Sequence, residues 1–177
     1  MHTTQRSHWC RLGVAAMSAG LLLSIACGGG EDGPKEYEIR AVDYAYEGLP
    51  DKIAAGSSFT LLNKSTVEVH EIYAARLPDS ETRSVDELLQ LPEGEQEALG
   101  AIDWFVLIAL PGEEGQAVLG NGSFGEPGRY LLACFIPTGA DPQALLAALE
   151  SESEEEPDLG EGAPHFTRGM FAEVRVE

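Results

Sequence analysis

The chain has 177 residues, a length that suits one domain with a substantial hydrophobic core. Its 30 acidic and 11 basic residues give a formal net charge of −19. Such a surface repels nucleic acid and disfavours an anionic membrane face, so a partner that binds through charge should be basic, although the charge also serves solubility alone.

The first 26 residues are predicted to be a signal peptide. Arg6 and Arg11 flank the start of an apolar stretch over 12–26, which is too short to span a bilayer convincingly. The stretch ends in "LSIAC", which resembles the lipobox of bacterial lipoproteins and would place the lipid on Cys27. Because of this resemblance we expect an envelope protein held by a lipid anchor, and Gly28 after the cysteine favours the outer membrane in a Gram-negative host. The alternative is ordinary secretion without a lipid.

Residues 27–36, which include "GGGEDGP", are expected to form a flexible tether ahead of a domain over 37–177. Cleavage removes Cys10 and lipidation uses Cys27, so Cys134 would be the one free thiol of the domain. An internal disulfide framework is then excluded. A lone thiol in an oxidising compartment requires a reason, either burial or a metal.

The domain is predicted to be mainly β. Short runs rich in branched and aromatic residues alternate with turn residues, a pattern typical of a β-sandwich or barrel. In "MFAEVRVE", Met170, Ala172, Val174 and Val176 share one face, as expected for a half-buried strand. The strand candidates are 37–46, 57–63, 67–76, 115–120, 128–136 and 170–177.

Two segments are predicted to be helical. "SVDELLQL" (84–91) has Ser84 followed three positions later by Glu87, a capping box. The second runs from Asp141 and Pro142 toward 156, and glutamates crowd its C-terminal end, where the helix dipole disfavours them. The apolar run 102–110 fits either a buried strand or a helix.

The soft and borderline metal ligands of the domain are few. Its histidines are His70 and His165, its thiol is Cys134 and its methionine is Met170. Taken singly, each has an ordinary structural interpretation, since Cys134 and Met170 fit core positions and the histidines fit loop or paired sites. Taken together, two imidazoles, one thiolate and one thioether are the donor set of a blue-copper site.

The surrounding residues resemble the cupredoxins, the fold of plastocyanin and azurin. The resemblance is carried by Asn63 upstream of His70, by "PGRYLLAC" (127–134), and by "HFTRGM" (165–170) before the last strand. It implies an all-β, Greek-key β-sandwich with two short helical insertions and one copper ion. His70, Cys134 and His165 would be its equatorial ligands and Met170 its axial ligand. Asn63 would donate to the cysteine-bearing loop, and Phe135 and Phe166 would shield the site from water.

One departure from the family is large, because thirty residues separate Cys134 from His165 where a few are usual. Most of this gap is an insertion over 138–162. Lengthening a loop to this extent costs on the order of 2 kcal/mol, which is small beside a metal-binding free energy of about 10 kcal/mol or more. The site is tolerable if the ends of the insertion stay together, and "CFIP" and "GAPHF" are the expected rigid shoulders.

The resemblance favours electron transfer with a protein redox partner, in a monomer that binds no nucleic acid. The alternatives are a metal-free interaction module, a copper carrier, and zinc in the same Cys/His/His set. An enzyme is not expected, because copper reductases and oxidases need further histidine clusters and no hydrolase or nucleotide-binding motif is present.

Overall fold

The computed structural model describes residues 33–98, 103–151 and 159–177. The predicted signal peptide, Cys27, most of the tether and most of the acidic loop after residue 150 lie outside these ranges. Among the described residues, no helix is long and apolar enough to cross a membrane.

Two β-sheets pack face to face. The smaller has the order β2-β1-β4, with β1 at Glu36–Val42, β2 at Ala45–Glu47 and β4 at Ser58–Asn63, and β1 runs parallel to β4. The larger has the order β3-β9-β8-β5-β6-β7. Its strands are β3 (Lys52–Ile53), β5 (His70–Arg76), β6 (Trp104–Ala109), β7 (Gln116–Leu119), β8 (Gly128–Ala133) and β9 (Phe171–Val176).

The main core lies between the sheets. It is built mainly from alternating inward side chains of the strands, with Phe124 from the segment between β7 and β8. The strand residues include Ile39, Phe59, Ile72, Phe105, Leu132 and Val174. A smaller cluster lies on the outer face of the larger sheet, where Leu88 and Leu89 pack with Leu131 and Ala133. The fold is the predicted all-β, cupredoxin-like sandwich with short helices added to it.

The helices follow the predictions in part. Helix α1 (Val85–Leu89) begins at Ser84, and the predicted capping box with Glu87 is formed. Helix α2 (Glu93–Ala98) was not predicted. Helix α3 (Pro142–Glu150) has Asp141 as its N-cap but ends at Glu150, well short of residue 156. Its end coincides with the start of the glutamates that a helix C-terminus disfavours.

Three further details differ from the sequence interpretation or complete it. The ambiguous apolar run forms strand β6. Strand β3, at Lys52–Ile53, was not among the predicted strands. Cys134 comes directly after β8 rather than inside it, which places its thiol at one end of the sandwich, as the site requires.

Candidate metal centre

His70 and Cys134 are brought together by neighbouring strands. His70 is the first residue of β5 and Cys134 follows the last residue of β8, and these two strands pair antiparallel in the larger sheet. The backbone N–H of Glu71 lies 3.4 Å from Sγ of Cys134 and donates to it. The end of one strand therefore holds both a histidine and a hydrogen-bond donor against the thiol.

A single tight turn positions His165 and Met170. His165 begins a 3-10 turn, His165–Arg168, and Gly169 reverses the chain at φ +103°, a conformation that favours glycine. The N–H of Met170 then donates to the carbonyl of His165 at 3.2 Å, and the carbonyl of Met170 accepts from Cys134 N–H at 3.1 Å. This is the physical reason for the five-residue interval between the histidine and the methionine.

The donor atoms converge in a closed space. Nδ1 of His70 lies 3.2 Å from Nδ1 of His165, and that atom lies 3.4 Å from Sγ of Cys134. One donor atom from each of these three residues lies within 4.8 Å of the other two. All three residues and Met170 are fully buried. Met170 is thus joined to the cluster through its backbone and shares its interior environment.

These separations fit one metal ion. Nitrogen and sulfur atoms bound to a common ion at about 2.0–2.3 Å, with angles between tetrahedral and trigonal, are roughly 3.3–3.8 Å apart. The two measured separations are within a few tenths of an ångström of that range. A buried thiol with two imidazoles, in a core that also contains the buried Met170, is a donor set that suits a single type 1 copper.

Burial keeps the donors neutral without a metal. Desolvation, helped by the nearby Glu71, raises the pKa of the Cys134 thiol far above its ordinary value. Desolvation and the neighbouring His165 lower the pKa of His70 to about 4, and desolvation also lowers the pKa of His165. At neutral pH the imidazole lone pairs are available to a metal, whereas the thiol must release its proton on binding.

The long insertion is clamped at its base. Pro137 and Pro164 form a β-bridge, flanked by Thr138 N–H to Ala163 carbonyl at 3.0 Å and His165 N–H to Ile136 carbonyl at 3.0 Å. Phe166 N–H donates in turn to the carbonyl of Cys134 at 2.9 Å. The prediction that the ends of the insertion stay together is confirmed, so Cys134 and His165 are held close to each other although thirty residues separate them in the sequence.

Three residues of the site were not predicted. Glu68 and Glu71 are buried carboxylates beside the histidines, and Tyr44 packs edge-on against the His165 ring at a centroid distance of 5.1 Å. In so acidic a chain, no sequence feature distinguished these two carboxylates from those on the surface. Tyr44 has a positive φ of +65°, which is unusual for a non-glycine residue and has no sequence signature.

The predicted supporting residues have different roles. Asn63 does not donate to the cysteine-bearing loop; both of its side-chain N–H groups are used, toward the carbonyls of Glu68 at 2.8 Å and Ala109 at 3.0 Å. It therefore braces the loop that leads into His70. Phe135 is 36% exposed and its ring packs on Tyr73 and Phe166, so the shielding role of these two phenylalanines stays a prediction. The His165 ring packs against the rings of Tyr44 and His70.

The two-sheet sandwich and its buried His–Cys–His cluster define a cupredoxin-like domain. No protein-family model matches the chain, and no curated protein matches it. Among solved structures, auracyanin from Roseiflexus castenholzii is similar at 16% identity and a TM-score of 0.44, covering 82% of this chain and 98% of that one.

Two further solved structures are similar. Auracyanin A, a "blue" copper protein from Chloroflexus aurantiacus, has 16% identity and a TM-score of 0.42, with 82% of this chain and 100% of that chain covered. A multi-copper oxidase from Pediococcus acidilactici has 14% identity and a TM-score of 0.36, with 83% of this chain but 27% of that chain covered. Because these scores are low, the copper assignment depends on the site geometry described above.

Proposed function

We propose that the protein is a one-copper electron carrier in which His70, Cys134 and His165 would hold the ion and Met170 would be a fourth, weaker donor. The observation that supports this best is the convergence of Nδ1, Nδ1 and Sγ at 3.2 and 3.4 Å inside a fully buried pocket. Copper in such a site supplies one-electron redox chemistry between Cu(I) and Cu(II) without a change of ligands.

The chain's own residues hold the donors in place. The strand pairing of β5 with β8 fixes His70 relative to Cys134, and the turn after the insertion fixes His165 and Met170. The N–H of Glu71 donates to the thiol sulfur and so withdraws charge from it. A site held by this many backbone hydrogen bonds moves little when its charge changes, which is what rapid electron transfer requires.

Burial favours electron transfer over copper delivery. A copper-delivery protein must release its ion to a recipient protein, whose ligands need access to the ion. Here all four side chains are inaccessible, and the ring of Tyr44 packs over His165 with the Arg168 guanidinium 4.6 Å from the tyrosine centroid. Exchange of the copper ion would require the Tyr44 ring to move away from His165, whereas an electron can pass through the packed side chains.

The setting of the protein is part of the same proposal. A lipid on Cys27 would hold the domain at the cell envelope through the tether, and the acidic surface would favour a basic redox partner. This part is supported by the sequence pattern alone. A monomer with a single copper and no further copper centres would be an electron carrier and not an enzyme.

Copper titration of the purified full-length protein tests the proposal. We expect one copper per chain and an intense blue colour in the oxidised form, from thiolate-to-copper charge transfer. Cys134→Ser should abolish the colour, while Cys27→Ser, the same change at another cysteine, should retain it. A colourless copper-loaded protein, or zinc as the only metal retained after elemental analysis, would contradict the assignment.

A further inference from the structure

Glu68 makes a group of contacts around the second histidine that the ligand set does not explain. Its Oε2 accepts from the N–H of Gly139 at 2.9 Å and lies 3.4 Å from Nε2 of His165. Its Oε1 accepts from the hydroxyl of Tyr44 at 3.3 Å. The side chain is 11% exposed, so one nearly buried carboxylate connects His165, its aromatic cover and the start of the insertion.

The backbone of Glu68 is fixed on both sides. Its carbonyl accepts from the Asn63 side chain at 2.8 Å, and its N–H donates to Oγ of Ser65 at 3.0 Å. The side chains of Asn63 and Ser65 thus fix the backbone position from which the Glu68 carboxylate projects. The Glu68 carboxylate is therefore held in a fixed place beside His165 and is not a mobile surface charge.

The two imidazoles differ in what faces their outer nitrogens. Both Nε2 atoms are buried, and neither makes a well-aligned hydrogen bond within the described residues. Within the described ranges, a carboxylate oxygen lies beside Nε2 of His165, that of Glu68 at 3.4 Å, and none lies beside Nε2 of His70. A neutral imidazole carries its hydrogen on one nitrogen, and the hydrogen-bond or charge partner of the outer nitrogen decides which one. A carboxylate at Nε2 favours the N–H there and leaves the lone pair of Nδ1 toward Cys134 and His70.

We propose that Glu68 is a positioning residue that sets the tautomer and ring orientation of His165, so that Nδ1 is free to bind metal. The inference rests on the proposed function for its purpose, but the tautomer itself is a property of the metal-free protein. Through Gly139 the same carboxylate also ties the start of the insertion to the ring. The histidine and the base of the insertion are thereby held as one unit.

The first test is nitrogen NMR of the histidine side chains in the metal-free full-length protein at neutral pH. We expect His165 to carry its hydrogen on Nε2 in the unaltered protein. Glu68→Gln should retain this tautomer, since an amide oxygen can replace Oε2 toward both Gly139 and His165. Glu68→Ala and Glu68→Met, which remove the acceptor with and without a loss of volume, should give substantial Nδ1–H tautomer. An unchanged tautomer in either folded variant would overturn the proposal.

The second test is Cu(I) affinity, measured by competition with a chelator. Outer partners of metal-bound histidines typically contribute tenfold to a hundredfold to affinity, so Glu68→Met should bind at least about tenfold more weakly and Glu68→Gln within a few-fold of the unaltered protein. Asp43→Asn is the control, because it removes an exposed negative charge that acts on His165 without contacting it. Equal losses in the Asp43 and Glu68 variants would show a general charge effect and overturn the positioning role.

The two proposals fail in different ways. If the unaltered protein bound no copper, the proposed function would be wrong, while the NMR result would still decide whether Glu68 sets the tautomer. If the protein bound copper and turned blue but the tautomer and affinity were insensitive to Glu68→Met, the positioning role alone would be wrong.

Discussion

Gly162 approaches the backbone of Thr138 so closely that a side chain cannot fit between them. A Cβ on Gly162 would overlap the Thr138 carbonyl oxygen. This contact lies at the base of the insertion, next to the hydrogen bond between Thr138 N–H and the Ala163 carbonyl. These contacts hold the two segments that carry Cys134 and His165 against each other. The length of the insertion between them therefore does not move the two residues apart.

Gly162→Ala should break these contacts. The clash is with backbone, which cannot move aside cheaply, so we expect a loss of about 1–3 kcal/mol in the free energy of unfolding, together with weaker copper binding. Urea unfolding and chelator competition measure the two effects. Gly94→Ala is the matched control, since a Cβ there meets nothing within 4 Å. If both variants behaved alike, the base of the insertion would not be a constraint.

Met170→Leu tests the proposed role of Met170 as a fourth donor to the copper. The swap preserves volume in the core and should cost less than about 1.5 kcal/mol. The protein should stay folded and blue, but its reduction potential should rise, because the oxidised ion loses a donor that stabilises it. Voltammetry measures the potential. Leu145→Met, the reverse exchange at another buried position, should leave it unchanged. An unaltered potential in Met170→Leu would remove the thioether from the ligand set.

Asn63→Ala should loosen the loop before His70. The fully buried side chain donates to the carbonyls of Glu68 and Ala109 and accepts from Ser65 N–H at 2.9 Å. Leaving these buried groups unpaired should cost on the order of 3 kcal/mol, measured by urea unfolding. Asn121→Ala is the control, because that exposed side chain makes a single local bond to Ser123 N–H. Equal stability of the two variants would contradict the bracing role.

Tyr130 gives a prediction for alkaline pH. Its buried hydroxyl donates to Oδ2 of Asp103 at 2.5 Å, with the Glu126 carbonyl 2.9 Å away. Desolvation, then the bond to Asp103, raises its pKa above the ordinary value near 10. Because the folded state holds the proton more tightly, this contribution to stability is complete below about pH 10 and is lost as the pH rises above it.

Tyr130→Phe should therefore cost about 1–3 kcal/mol at neutral pH, since Asp103 loses its buried partner, and the difference from the unaltered protein should shrink above about pH 10. Urea unfolding at pH 7 and 10.5 measures this. Tyr37→Phe is the control, because the hydroxyl of Tyr37 makes no hydrogen bond to the described part of the chain. A difference independent of pH would show that the tyrosine proton is not involved.

The sequence was most informative where residue types are scarce. His70, Cys134, His165 and Met170 are the domain's complete supply of soft and borderline donors, so the convergence of the two histidines and the cysteine could be predicted without knowing the intervening loop. The capping box at Ser84 and the alternation in β9 were also readable, because each depends on neighbours within a few positions.

Other features depend on contacts between distant segments and were not readable. Carboxylates are so common here that the burial of Glu68 and Glu71 could not be distinguished in advance from an ordinary acidic surface. The place of Tyr44 over His165 depends on a turn with positive φ between β1 and β2. The predicted role of Asn63 was wrong because its two side-chain N–H groups donate to the carbonyls of Glu68 and Ala109 and not to the cysteine-bearing loop.

X-ray absorption at the copper edge of the loaded, oxidised full-length protein tests the central claim most directly. The account predicts one short sulfur and two nitrogen neighbours around a single copper, with the short sulfur absent from Cys134→Ser. A spectrum with only nitrogen and oxygen neighbours in the unaltered protein, or copper bound in excess at the acidic surface alone, would contradict it.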